Sequence, residues 1–219
     1  MATPNFVKFS RIGGEVLPVL DRLDAALRQR WQTQLKRVAR LRPSNDAYDG
    51  GLKLDGEPEA CDSPQSALGA MKGAQAFGLI YLATGIPAQL YFYLFDFAAG
   101  ELSLTLSFDS SIVFFKSDEF ERGQWLEGLL TTITCELKPL VCGYGRDAAY
   151  MCKHESLNPS LVLKRLRSGE LLKLPKPIYH AISTSLIDTN EIVALIDEHK
   201  PEPRPRYRLA PGYHVLNNI

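Results

Sequence analysis

Cysteine is scarce in this chain: Cys61, Cys135, Cys142 and Cys152 are the four among 219 residues, too few for the dense disulfide framework of a small secreted domain. The opening residues MATPNFVKFS lack the apolar run of a secretory leader, so the expectation is a cytoplasmic protein with free thiols. Net charge is absent too. Lys plus Arg and Asp plus Glu both number 25, which removes the overall field that would draw a chain onto nucleic acid or an anionic membrane. The stretch 73–100 has a single charged residue, Asp96. Gly85-Ile86-Pro87 interrupts it, and its aromatic second half suits a buried strand better than lipid. Neither nucleic acid nor a membrane is therefore expected as a partner. Gly-x-Ser-x-Gly elbows, His-Glu-x-x-His helices, Walker loops, dinucleotide fingerprints and internal repeats are missing as well, which leaves no compact catalytic or cofactor signature.

The composition that remains is that of an ordinary globule, 45% hydrophobic and 23% charged, enough to bury one core, and residues 1–219 are read as a single domain. Val16, Leu20, Leu23, Leu27, Trp31, Leu35 and Val38 recur at steps of three and four, predicting an amphipathic helix over 16–41. Residues 44–63, rich in Asp, Gly and Pro, read as an exposed acidic loop. Ser63-Pro64 opens a short helix, with Ser as cap and Pro at the first helical position. From about 77 to 115 the pattern turns to strands. Leu102, Leu104, Leu106 and Phe108 alternate with Ser103, Thr105 and Ser107, as on a sheet with one buried face, and short turns imply an antiparallel meander.

Ser117-Asp118-Glu119 starts a second long helix that ends before Pro139, its acids suited to the positive end of the helix dipole. A helix over 159–167, a strand over 179–183 and a helix over 188–198 follow. Residues 200–212 read as a Pro-rich extended tail leading to a short terminal strand. The predicted class is α+β, an antiparallel sheet packed by amphipathic helices.

Cys135, Cys142, Cys152 and His154 are the densest set of potential metal donors, yet only Cys152 and His154 are closely spaced, unlike the paired ligands of structural zinc sites. No metal and no cofactor is expected. His154, His180 or His214 could still meet a thiol in space, leaving open an enzyme using a Cys/His pair. Gly143-Tyr144-Gly145-Arg146 reads as a helix exit and turn.

One resemblance bears on function. SIVFFKSDEF, GQWLEGLL and LKPLVCGYGRD, followed by SGELLKLPKPIYHAIS and the terminal GYHVL, resemble immunity proteins of bacterial polymorphic toxin systems over about the C-terminal half. The resemblance implies a protein that binds a cognate toxin tightly and occludes its active site, through a complementary interface rather than catalysis. The acids Asp46, Asp49, Asp55, Glu57 and Glu59, and the group Asp118, Glu119 and Glu121, are the candidate contacts for a basic toxin, where opposite charge would raise the association rate. An adaptor or chaperone for a secreted effector is the alternative binding role.

Overall fold

A computed structural model describes residues 4–43, 52–74, 76–83, 89–98, 101–109, 119–145, 158–172, 178–202 and 204–217. The chain is α+β. In order it forms β1 (Pro4–Gly13), α1 (Val16–Trp31), β2 (Thr33–Pro43), β3 (Leu52–Leu54), β4 (Glu59–Ala60), α2 (Pro64–Ala70), β5 (Ala76–Ala83), β6 (Gln89–Ala98) and β7 (Glu101–Asp109). It continues with α3 (Glu119–Leu137), β8 (Val141–Gly145), α4 (Pro159–Arg167), β9 (Ile178–Ser183), α5 (Thr189–His199), β10 (Arg206–Ala210) and β11 (Tyr213–Asn217).

The strands join into one antiparallel array in the order β10-β11-β9-β8-β1-β7-β6-β5-β2-β3, with β4 also on β2. The expected meander is its centre, β5-β6-β7, each strand paired with the next. β1 inserts between β7 and β8, so the first strand of the chain joins the meander to the C-terminal strands.

Alternation along these strands defines two faces. The inner face carries Val7, Phe9 and Ile12 of β1, Leu102, Leu104 and Leu106 of β7, Leu79 and Tyr81 of β5, and Tyr144 and Tyr179 of β8 and β9. It packs on Leu20, Leu23 and Leu27 of α1 and on Leu126, Leu129, Leu130 and Ile133 of α3. The outer face of β8, β9 and β11 presents Val141, Ile182 and Leu216 to Val162 and Leu166 of α4 and Ile192, Leu195 and Ile196 of α5. These three strands are thus covered on both sides.

The helix expected over 16–41 is two elements. α1 stops at Trp31, Gln32 takes a left-handed conformation (φ 50°) with its N–H bonded to the carbonyls of Arg28 and Leu27, and β2 begins at Thr33. A register shift in the β2–β5 ladder between Leu35 and Arg37 explains the misleading period. The extra residue of a bulge turns the two-residue repeat into a three-residue step, so Leu35 and Val38 both reach the inner core at a spacing that also fits a helix.

Two further readings are corrected. Gly143-Tyr144-Gly145 is not a turn but part of β8, between β1 and β9. The Pro-rich stretch does not remain an extended tail: β10 hairpins onto β11 through Pro211-Gly212, with Gly212 at φ 80°, where a residue without Cβ costs least. The expected strand around 110–115 lies outside the described residues. The other helices form as expected. Ser63 caps α2 through a capping box with Ser66. Asp188 caps α5, its carboxylate accepting from the N–H groups of Asn190 and Glu191 at 2.8 and 2.9 Å. No described helix is long and apolar enough to cross a membrane, and both halves of the 73–100 stretch are strands.

Candidate functional site

The structure separates the polar groups that sequence reasoning placed side by side. Of the acids expected to meet a partner, Asp46, Asp49 and Asp118 lie outside the described residues, as do the side chains of Glu119 and Glu121 in the first turn of α3. Asp55, Glu57 and Glu59 are exposed beside β2. Their surroundings are not purely acidic. The exposed residues Lys36, Arg37, Arg40 and Arg42 of β2 and Lys53 of β3 line the same edge, and Arg42 Nε stands 3.9 Å from Asp55 Oδ1. Basic neighbours at that range offset much of the field that would steer a basic partner.

The thiols and imidazoles also diverge. Cys142 and His180 sit on adjacent strands, but Cys142 pairs with Ala181, one residue from His180, and neighbouring side chains on a strand point to opposite faces. Cys142 is buried in the inner core beside Thr134, and burial pushes its thiol far up from the ordinary range. His180 and His214 occupy the outer face of the same strands, so neither imidazole reaches the Cys142 thiol to deprotonate it. Cys61 is half-buried, and burial, with the Asp62 carboxylate adding to it, raises its thiol to about 11. Thiolate nucleophiles need the opposite environment. Cys152 and His154 lie outside the described residues, and among the described residues no group of three or more His, Cys, Asp and Glu side chains could hold a metal ion.

Three places do gather polar groups. At the junction of α1 with β5, Asp24 is buried, and burial raises its carboxyl against the opposing pull of Arg28, whose Nε is 2.7 Å from Asp24 Oδ2. The Tyr81 hydroxyl lies against the same carboxylate, and Arg28 Nη2 donates to the Asp62 carbonyl at 3.0 Å. This group ties the strand-poor segment before α2 to α1.

On the outer face, buried Thr105, buried Lys8, Gly143 and buried His180 follow one another across β7, β1, β8 and β9. Lys8 and His180 are therefore two strand spacings apart, roughly 10 Å. Among the described residues neither His180 nitrogen has a hydrogen-bond partner, and burial lowers its imidazole to about 4, so it is neutral. One pair along, His214 is fully satisfied: its Nε2–H donates to the Ile187 carbonyl at 2.9 Å and its Nδ1 accepts from the Tyr207 hydroxyl at 3.1 Å.

The third place, β10 at the end of the sheet, is the most accessible. Arg206, Arg208 and Leu209 are exposed, Leu209 to 59%, and Tyr207 is half-buried. Arg208 bonds Thr131 Oγ1 at 3.0 Å and pairs with Glu127 at 2.8 Å, fastening the strand to α3. Just before β10 a cleft of about 800 Å³ opens beside α5, lined by Ile196, Asp197, Lys200, Pro201, Glu202 and Arg204, with Arg204 bonded to Asp197. Sequence reasoning missed this surface because prolines at 201, 203, 205 and 211 suggested a tail, although Tyr207, Arg208 and Leu209 are the residue types that anchor interfaces or stay exposed at a cost.

Of the segments that carry the resemblance to immunity proteins, three supply strands of this sector, in LKPLVCGYG (β8), PIYHAIS (β9) and GYHVL (β11), whereas GQWLEGLL lies in α3 and most of SIVFFKSDEF lies outside the described residues. No protein-family model matches the chain, and no curated protein or solved structure matches it.

Proposed function

We propose that this chain is an immunity-type binding protein that neutralises a cognate bacterial toxin by occluding its active site. The observation that carries this reading is the accessible end of the sheet, where Tyr207, Arg206, Arg208 and Leu209 stand beside an open cleft on a sector rigidified by helices on both faces. A preformed surface loses little conformational entropy on binding, and Tyr and Arg are the side chains that most often dominate such interfaces. Three of the sequence segments that resemble immunity proteins supply strands of the same sector. The acids Asp55, Glu57 and Glu59, at the far edge among arginines, would then contribute specificity more than attraction.

Co-expression tests the proposal. Growth should be rescued when this chain is produced with the product of the adjacent upstream gene, and the two should co-purify as a stable complex. A harmless neighbour, or a toxic one that this chain does not restrain, overturns it.

A further inference from the structure

The register of the C-terminal strands fixes which backbone groups of β10 are spoken for. Thr184 N–H donates to the Gly212 carbonyl at 3.0 Å, extending the β9–β11 ladder beyond the Ile182–His214 pair. Hydrogen-bonded pairs alternate along an antiparallel ladder, so even-numbered residues of β11 bond β9 and odd-numbered ones bond β10. Through the Ala210–Tyr213, Arg208–Val215 and Arg206–Asn217 pairs, the even-numbered residues of β10 are taken up by β11. The N–H and C=O groups of Tyr207 and Leu209 point away from the sheet. Pro205 and Pro211 hold the next outward positions on either side, where proline sacrifices no ladder bond but offers no donor.

From this geometry we infer that β10 is the docking edge for an extended strand of a partner protein whose side chains alternate acidic and apolar. The inference rests on the binding role proposed above and specifies its mode. The four outward backbone groups of Tyr207 and Leu209 form the hydrogen-bonding window, and the flanking prolines fix its register. Such strand addition takes affinity from main-chain bonds and specificity from alternate side chains. On the incoming strand, apolar residues face Tyr207 and the exposed Leu209, while acids face Arg206 and Arg208. Arg208 is shared with Glu127, whereas exposed Arg206 has no ion-pair partner among the described residues. A second copy of this chain fits poorly. Antiparallel pairing of β10 with itself through both Tyr207 and Leu209 sets Arg208 against Arg208, and like charges directly opposite are destabilising.

The test uses the full chain, isotope-labelled for NMR, titrated with a short capped peptide alternating valine and glutamate, and with its counterpart alternating valine and lysine. The acidic peptide should shift the Tyr207 and Leu209 amide signals and slow their hydrogen exchange. The lysine peptide should bind about tenfold more weakly or less, the sum of a few cross-strand charge pairs. Leu209→Pro removes an outward N–H without touching the β11 ladder, so it should keep the thermal transition and abolish the response. Arg206→Glu should reverse the preference between peptides. Equal binding of the two peptides, shifts centred away from β10, or unchanged binding by folded Leu209→Pro overturns strand addition; should Leu209→Pro not fold, the Arg206→Glu preference decides. The two proposals fail separately. Protection from a toxin that survives Leu209→Pro and Arg206→Glu sinks the docking edge alone, whereas acidic-peptide binding at β10 by a chain that restrains no toxin sinks the immunity reading alone.

Discussion

Strands β8, β9 and β11 are packed by helices on both faces, whereas the described helices α1, α2 and α3 meet β1, β7, β5 and β2 on the inner face. The two sectors treat buried polar groups differently. In the sector built on α1 and α3, Asp24 keeps a cation, Arg28, at 2.7 Å, and burial raises its carboxyl against that opposing pull. In the doubly covered sector His214 makes two hydrogen bonds to protein groups, and burial lowers the imidazole of His180 to about 4. Coverage on both faces removes water as a partner, so an ionisable group there must be satisfied by protein or give up its charge.

The largest loss of stability is expected at β1, the strand that joins the sectors. Phe9 is completely buried between Leu104 of β7 and Cys142 of β8. Phe9→Ala should cost about 3–5 kcal/mol, the range for emptying an aromatic site in a core. Chemical denaturation followed by tryptophan fluorescence and by far-UV circular dichroism should show one coincident, weakened transition. Two separated transitions would mean that the sectors are independent folding units.

His180 makes the stability of the doubly covered sector depend on pH. The unfolded imidazole takes a proton near 6.5, while the folded one, held at about 4, does not. Between those values the unfolded chain binds more protons, so the stability attributable to His180 is present above about 6.5 and is lost as pH falls toward 4, by about 3 kcal/mol in full. Stability curves measured from pH 7.5 to 4.5 should therefore be flatter for His180→Leu than for the parent chain. Parallel curves would show that His180 is not the group that acidification exploits.

A smaller effect is expected where α4 meets α5 outside the sheet. Gly169 follows α4 at φ 73°, and a Cβ there would lie 2.5 Å from Nδ1 of His199, whose Nε2–H donates to the Arg167 carbonyl at 3.0 Å. Gly169→Ala forces both a disfavoured backbone and a displaced ring, costing about 1–3 kcal/mol. His199→Ala in the Gly169→Ala background should recover the steric part, visible as non-additivity in a double-mutant cycle. Strict additivity would leave the backbone conformation as the whole cause.

How far these features were legible in the sequence depended on the distance over which each is decided. α3, α4 and α5 were readable because a cap, a periodic apolar face and a terminating Pro or Gly lie within a few residues of one another. The β5-β6-β7 meander was readable for a similar reason, since its turns are short and β7 alternates cleanly. β2 was misread because its bulge lengthens the apolar step, and a bulge is set by the partner strand β5 rather than by its own residues. β8 was misread because its glycines carry a turn signal that pairing with β1 and β9 overrides. The β10 surface was hidden by prolines whose outward placement only the hairpin register reveals.

Local propensity and short-range periodicity specified an α+β chain with helices at its capped segments and a central antiparallel meander. The tertiary structure alone decided that β1 joins the two sectors, that Cys142 and His180 stand on opposite faces, and that the last hairpin leaves one edge open. The reason is physical: strand order and face are set by pairing between residues far apart in the chain, and a one-residue change in that pairing moves every side chain to the other side of the sheet.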